Sequence, residues 1–440
     1  VKAPPAAIVE QAGGVRAPWP RAATWPLVML TLISTFNYLD RSLFGLALPA
    51  IKREMAVSDT VLGLVSGLAF VVVYSVLGLP IAWLADRWSR RNIIAIGLAF
   101  WSVMTAVTGW VSNIWQLAAA RFLMGAGEAS GIAPSNAMIA DVFPPARRPL
   151  AMALFGLASM ISSAVFFPIA GWITDHDGWR AMFMAAGAPG LLLAGAFIVT
   201  VREPPRSTLV SSGTLRLSGS LFSDLGALFG NRCFVWIFAG VTFMGANVWA
   251  AGAWTPTFFQ RVHGLGMAEA AAIIGPSRGI LGAAGILAGG ALVDRLPPGS
   301  PWRLTIPALA CLFVGPSETL FLLGGGTTAW FTGFAASSFF SLIHQGPIYA
   351  ATVNIVGERQ RALAVAVILL GASLIGNVAG PSAVGFLNDQ LAPRFGEQAI
   401  RYSLLLIAAT PIFAAFCFWR AGAFYPDDAA KQAVSEEQMR

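Results

Sequence analysis

Charge is what this chain has least of. Asp, Glu, Lys and Arg make up only 11% of its 440 residues, where a water-soluble domain carries roughly 25%. With 56% hydrophobic residues, there is too little polar surface to wrap a soluble core. Histidine and cysteine are also scarce, three of each, at spacings that match no metal-ligand pattern and no disulfide framework. Cys233, Cys311 and Cys417 lie far apart in apolar segments and read as packing residues. No GxxxxGK[ST] loop is present to cradle a nucleotide, which removes ATP-driven pumping. No GxSxG elbow or ordered triad points to a hydrolase. The chain is therefore read as a non-enzyme that needs no metal and no cofactor.

Long apolar runs are what it has instead. Mean hydropathy is +0.69, and stretches of about 20 apolar residues, enough to cross roughly 30 Å of hydrocarbon, fall near 25–50, 61–85, 92–112, 115–139, 150–174 and 180–201, then 233–259, 268–293, 303–323, 327–355, 361–388 and 400–420. The 46 Gly and 27 Pro are tolerated in membrane helices, where neighbouring helices and hydroxyls satisfy freed backbone groups. The expectation is an all-α integral membrane protein, twelve transmembrane helices in two six-helix bundles, 25–201 and 233–420. A cytoplasmic linker at 202–232, a disordered N-terminus at 1–24 and a disordered tail over 421–440 complete it. Most of the 28 Lys and Arg fall in segments that face the cytoplasm if both termini lie there, which sets the orientation. The net charge of +7 then matches anionic lipid headgroups and calls for no nucleic acid. A monomer is expected, and the scarcity of Lys beside Arg points to a bacterial inner membrane.

The two halves resemble each other. Ala82-Trp83-Leu84-Ala85-Asp86-Arg87 closes the second span and Gly290-Ala291-Leu292-Val293-Asp294-Arg295 closes the eighth, while Arg148 opens span five and Arg361 opens span eleven. Both matches share an offset of about 210 residues, the mark of a parallel six-helix repeat.

Within the spans, ionised side chains are costly and point to cavities, partners or ion paths. Asp40 and Arg41 stand side by side in the first span. Adjacent helical residues point about 100° apart, so Asp40 is expected to face span four and Arg41 a central cavity. Arg121 and Glu128, two turns apart, share a face of span four, and Gly125, Ala126 and Gly127 between them admit a close neighbour. Asp40, Glu128 and Arg121 are the candidate proton-coupling residues. The quartet with Arg41 is neutral with both acids ionised and +1 with one protonated, so protonation favours an anionic ligand. The alternative is a structural quartet locking span one to span four.

These residues resemble the major facilitator superfamily, in which two such bundles rock around a central cavity. Ala82 to Arg91 is similar to its GxLADRxGRR signature, with Ala82 and Ser89 in place of the glycines, and Arg121, Gly125 and Gly127 resemble its RxxxGxG element. Four stretches in order further resemble Spinster-like transporters: Asn37-Tyr38-Leu39-Asp40-Arg41, Leu48-Pro49-Ala50-Ile51-Lys52, Gly125-Ala126-Gly127-Glu128-Ala129 and Asp141-Val142-Phe143-Pro144-Pro145. Organic-anion transporters of the superfamily share the first. The resemblance implies alternating access, with export or redistribution of lysolipids or sphingoid phosphates coupled in some members to protons. It also implies a cytoplasmic gate in which Asp86, Arg87, Arg90 and Arg91, with their counterparts Asp294 and Arg295, engage the opposite bundle.

For substrate contacts the candidates are Arg41, Asn37, Tyr74, Asn136, Asn247, Arg278, His344 and Gln345. Each polar residue among them also fits plain interhelical hydrogen bonding, and His344 a packing role. Glu318, in a ninth span that is peripheral in this fold, is read as snorkelling to the outer surface or contacting a neighbour. The resulting reading is a proton-coupled secondary transporter of an amphipathic anion such as a lysophospholipid or sphingoid phosphate. The alternatives are a transporter of small organic anions or drugs, and a non-transporting membrane receptor.

Overall fold

The computed structural model describes residues 19–85, 87–144, 147–204, 221–297, 299–357 and 360–438. Residues 1–18, Asp86 and the 205–220 part of the linker lie outside the described residues. No strand occurs among those described. The helices make twelve spans in two pseudo-symmetric six-helix bundles. Eight continuous helical runs are long and apolar enough to cross a membrane, and two of these, Arg148–Thr200 and Leu363–Gln432, have the length for two crossings each. Spans four and ten complete the set. Each is split, into Ile114–Glu128 and Ile132–Val142, and into Thr327–Phe340 and Gln345–Asn354.

Local chemistry sets many of the helix ends. Asn113 and Asn231 accept from the backbone N–H three residues on and so cap spans four and seven (Arg232–His263). Between spans five and six the helix is not interrupted by a loop but bends at Gly178, whose φ of 83° is open to glycine at little cost. The first helix begins at Arg21 and runs to Met55, so residues 21–24 are ordered where disorder was expected. The tail differs more. A single helix runs from Thr410 to Gln438, because Tyr425 is fully buried and its hydroxyl accepts from Asn354 Nδ2 at 3.2 Å. Within the linker, Leu221–Gly230 is helical and buries Leu228.

The apolar core has the shape of a Y. One cluster draws on both bundles, joining Leu43, Phe44 and Trp179 to Trp254, Phe258 and Ile274. It lies in the half of the molecule away from the termini, called here the distal end. Toward the terminal end the core divides into one cluster built from the first bundle, around Phe70, Trp101 and Phe143, and another from the second, around Phe234, Cys311 and Phe418. The bundles meet where span two (Asp59–Ala85) crosses span eleven (Arg361–Phe395), where span five crosses span eight (Met267–Asp294) and where span one meets span seven.

The span two crossing is close because Gly67 has no side chain. A Cβ there would collide with the Asn377 carbonyl oxygen, which belongs to backbone that cannot swing away, whereas a Cβ on Gly78 of the same helix meets nothing within 4 Å. Gly67→Ala should therefore force the two helices apart and cost about 1–3 kcal/mol. Thermal unfolding in detergent should show a lower midpoint for Gly67→Ala and a near wild-type midpoint for Gly78→Ala. Equal midpoints would remove the close approach from the account of the seam.

Candidate functional site

Span one carries the first layer of the site. Asp40 and Arg41 diverge as helical geometry requires, but their partners differ from expectation. Arg41, not Asp40, engages span four: its Nε donates to Glu128 Oε2 at 2.8 Å, and its guanidinium lies over the rings of Tyr74 at 4.6 Å and Phe70 at 5.2 Å. Glu128 is fully buried. Asp40, 2% exposed, turns to span three (Arg90–Thr108), where the Thr105 hydroxyl lies 3.2 Å from its Oδ2. The correction has a simple cause. Glu128 closes the first half of span four just before the break at 129–131, which places its carboxylate level with Arg41.

Arg121, also 2% exposed, stacks over Phe44 at 4.7 Å and Phe70 at 5.3 Å and donates Nη2 to the Ser66 carbonyl at 3.4 Å. Its Nε and Nη1, Arg41 Nη2 and the Ser162 hydroxyl are buried without a hydrogen-bond partner. Unpaired donors of this kind are expensive in a dry interior, and here four of them cluster about one cavity. That cavity, about 210 Å³, is walled by Arg41, Arg121 and Arg278, with Ser42, Ser66 and Ser162 among its hydroxyls and Phe70, Phe167 and Trp249 on its apolar side. Three guanidinium groups face it and, among the described residues, no carboxylate lines it, an arrangement suited to an anionic head with an apolar body. Two of the wall segments are π-helical turns, Ser162–Phe166 and Ser277–Leu281, a distortion frequent at functional sites.

A second chamber of about 230 Å³ lies within the second bundle and shares Trp249, Gly252 and Arg278 with the first. Arg278 Nη2 donates to Thr255 Oγ1 at 2.9 Å. Asn247 lines this chamber and donates Nδ2 to Glu318 Oε2 at 2.9 Å. Glu318, expected at the periphery, is therefore an inward residue. Span nine (Trp302–Leu323) packs against span ten, and its Glu318 side also meets span seven.

The other candidates sit elsewhere. Asn37 is buried next to the quartet, and Tyr74 stands behind Arg41, but neither lines either chamber. Asn136 is half-buried in Ile132–Val142 and lines neither chamber. His344, at the break in span ten, stacks on Phe418 of span twelve at 5.9 Å, and Gln345 is exposed. Neither of these two lines the chambers, because the break turns them away from the bundle interface.

The gate residues of the terminal end are not engaged across the bundles among the described residues. Arg87 stacks on Trp83, Arg91 reaches the Ile198 and Val201 carbonyls, and Arg90 pairs with Asp141, all within the first bundle. Asp294 and Arg295 are exposed, and Asp86 lies outside the described residues. Glu203, unforeseen, caps span three by accepting from the Ser89 hydroxyl at 2.7 Å and from the Arg90 and Arg91 N–H groups at 2.9 Å.

Cross-bundle bonding is instead found at the distal end. Asp59 of span two takes a bidentate pair from Arg261 of span seven, 2.6 and 3.0 Å, and adds Lys52 at 2.7 Å and Asn388 at 3.0 Å. Asp389 of span eleven accepts from the Asp59 and Thr60 N–H groups and the Thr60 hydroxyl at 2.6–3.0 Å. Asp175 of span five does the same for span eight, accepting from Met267 and Ala268 N–H at 2.8 and 2.7 Å. The Asp389 and Asp175 carboxylates each sit on the positive end of a helix in the opposite bundle. The two caps are repeat-related, with Asp175 and Asp389 separated by about 210 residues, a third match that sequence inspection could have found.

Residues 30–317 match the family model described as Major Facilitator Superfamily. The chain is 30% identical over 416 residues to an MFS-type efflux pump of Mycolicibacterium smegmatis, covering 94% of this chain and 96% of the relative. It is 26% identical to protein spinster homolog 3 of Danio rerio, covering 91% and 85% respectively. Among solved structures it is similar to a bacterial homologue of the human lysosomal transporter Spinster in an inward-facing, unoccupied conformation. There the TM-score is 0.80 at 25% identity, over 93% of this chain and 99% of that one.

The Arg41–Glu128 pair yields a test of its own. Arg41→Ala leaves the Glu128 carboxylate buried without its cation and should cost about 3–5 kcal/mol. Arg41→Ala with Glu128→Gln removes the stranded charge and should recover most of the loss in a thermal-shift series. No recovery would mean that Arg41 stabilises by packing on Phe70 and Tyr74 alone.

Proposed function

Because the chain belongs to the major facilitator superfamily, a family of membrane transporters, we propose that it is a proton-coupled secondary transporter of an amphipathic anion, working by alternating access. The observation that carries the anion is the cavity wall: three arginines, unpaired buried donors among them, and no carboxylate. The apolar side, with Phe70, Phe167 and Trp249, supports a ligand with a hydrocarbon portion. The four-motif likeness to Spinster-like transporters narrows this to a lysophospholipid or a sphingoid phosphate. In this reading the anionic head meets Arg41, Arg121 and Arg278, and the serine hydroxyls complete its hydrogen bonds.

Proton coupling is assigned to Asp40, Glu128 and Arg121. Glu128 holds Arg41 by a 2.8 Å bond, so a proton on Glu128 would free the guanidinium for the substrate, and an anion on Arg41 would in turn release Glu128 to take a proton. Asp40, buried beside Thr105 with Oδ1 unpartnered, is positioned to trade a proton with the same cluster. The electrostatic sign follows. One added proton makes the quartet +1, which favours binding of an anion.

The orientation supported by the Lys and Arg distribution places both termini in the cytoplasm of a cell whose inner membrane the chain spans. The distal end is then external, and the structure corresponds to a state closed on the outside. Asp59, Arg261, Asp389 and Asp175 form the outer gate. Substrate and proton binding shift the balance between this state and one open to the outside.

Two measurements follow. In proteoliposomes a labelled lysophospholipid should accumulate faster with a pH gradient in the wild type, and Asp40→Asn should lose that stimulation while retaining exchange. A folded wild type that ignores lysolipids but takes up small organic anions would replace the lipid reading with its alternative. For the gate, loss of one charge-assisted bond worth about 1.5–3 kcal/mol should raise the outward-open population roughly tenfold or more in Asp59→Asn. A cysteine placed at Ser66, on the cavity wall, should then react faster with an impermeant thiol reagent added from outside. An unchanged rate would exclude Asp59 from the gate.

A further inference from the structure

Each bundle contains a buried carboxylate at the same junction of helices. In the first, Asp40 of span one lies against Thr105 of span three, whose hydroxyl also lies 3.3 Å from Met124 Sδ of span four. In the second, Asn247 of span seven bonds Glu318 of span nine at 2.9 Å, and Ser337 of span ten bonds Glu318 at 3.3 Å. Asp40 and Asn247, Thr105 and Glu318, and Met124 and Ser337 are each separated by about 210 residues, the offset of the repeat. The same three-helix contact is thus built twice, with the carboxylate on the first helix of one bundle and on the third helix of the other.

Glu318 has the setting of an exchangeable site. It is 8% exposed, yet it lines the second chamber, which adjoins the central cavity through Trp249 and Arg278. Its two partners, Asn247 and Ser337, are neutral, and it makes no ion pair among the described residues. Arg278 of span eight is the other charged group lining the chamber. Span seven contributes Asn247 and Thr255, span ten Ser337, Ser338 and Ser341, and span twelve Leu404 and Ile407, none of which titrates. His344 lies away on Phe418, and His263 lies among Phe258, Phe259 and Trp330. The carboxylate thus shares its chamber with Arg278, which also faces the central cavity.

We propose that Glu318 is a second proton-binding site, the second bundle's counterpart of Asp40, loaded and unloaded through its own chamber. Its contribution to transport rests on the proton-coupled reading above, but its protonation does not. The test therefore has two arms. Infrared difference spectra of the purified protein in lipid, recorded across a pH series, should contain a carboxylic C=O band that Glu318→Gln abolishes and Asp40→Asn spares. Ser337→Ala, which keeps the carboxyl group and removes one of its donors, should shift the pH midpoint of that same band. A spectrum that Glu318→Gln leaves unchanged overturns the proposal, as does a wild type with no titrating band beyond those of Asp40 and Glu128. The second arm is gradient-driven uptake of labelled lysophospholipid. Glu318→Gln should flatten the dependence of accumulation on the pH gradient while leaving exchange at zero gradient intact. If wild-type uptake ignores the gradient while the Glu318 band still titrates, the coupling reading fails and the proton site stands.

Discussion

The ion pair between Arg41 and Glu128 is the contact on which the polar interior of the first bundle depends. Both groups are taken out of water, and both pay a desolvation cost of several kcal/mol that only close, well-aligned attraction offsets. The 2.8 Å bond supplies that attraction, and the rings of Phe70 and Tyr74 supply a second face for the guanidinium. Neither supply is complete. Arg41 Nη2 and Glu128 Oε1 remain unpartnered, which in the proposed reading leaves the pair open to a ligand or a proton. Removing that incompleteness would give a firmer bundle and a less responsive one.

Around this centre the repeat acts as a constraint on what can differ. The two bundles reuse the same helix crossings and the same carboxylate caps, Asp175 on span eight and Asp389 on span two. A cap of this kind stabilises twice, through the hydrogen bonds and through the helix dipole, and its donors belong to the partner bundle. Symmetry therefore converts an ordinary helix-terminus interaction into a clasp between halves. Where the halves differ, at Asp40 and Asn247 or Thr105 and Glu318, the contact survives and the charge moves to its other side.

Much of this was legible in the sequence because it is written in composition and period. Long apolar runs specify spans, and the recurrence of an Asp-Arg pair specifies the repeat; the ionisable residues Asp40, Arg41, Arg121 and Glu128 mark the polar centre because the membrane tolerates so few. What stayed hidden depends on rotation and on pairs distant in sequence. The 100° between Asp40 and Arg41 says that they part, but which of them meets Glu128 depends on the break at 129–131 in span four. For Glu318 the sequence leaves the outer surface and a neighbouring helix both open, because ninth spans are peripheral in this fold; the structure has it on the inner face, bonded to Asn247 and Ser337 of its neighbours. The Asp59–Arg261 clasp joins residues about 200 positions apart and leaves no local pattern. The tail helix to Gln438 is held by Tyr425, a tertiary contact that overrides a weak helical composition.

On the alternating-access reading proposed above, the distal closure and the Y-shaped core bear on how a densely packed protein passes between two arrangements. Interdigitated side chains resist sliding, because each must leave a rotamer well and open a void. The seam avoids that. At Gly63, Gly67 and Gly385 the glycine lies directly on backbone of the facing helix, so at these points no side chain interdigitates. The clasps at either side of the seam are charge-assisted, and water at the membrane edge can replace them at modest net cost. The remaining resistance is the shared apolar cluster around Phe44, Trp254 and Phe258, which must divide for the distal end to open. In the reading proposed above, what selects between the arrangements is the charge state of Glu128, which holds Arg41, together with the anion met by Arg41, Arg121 and Arg278 on the cavity wall.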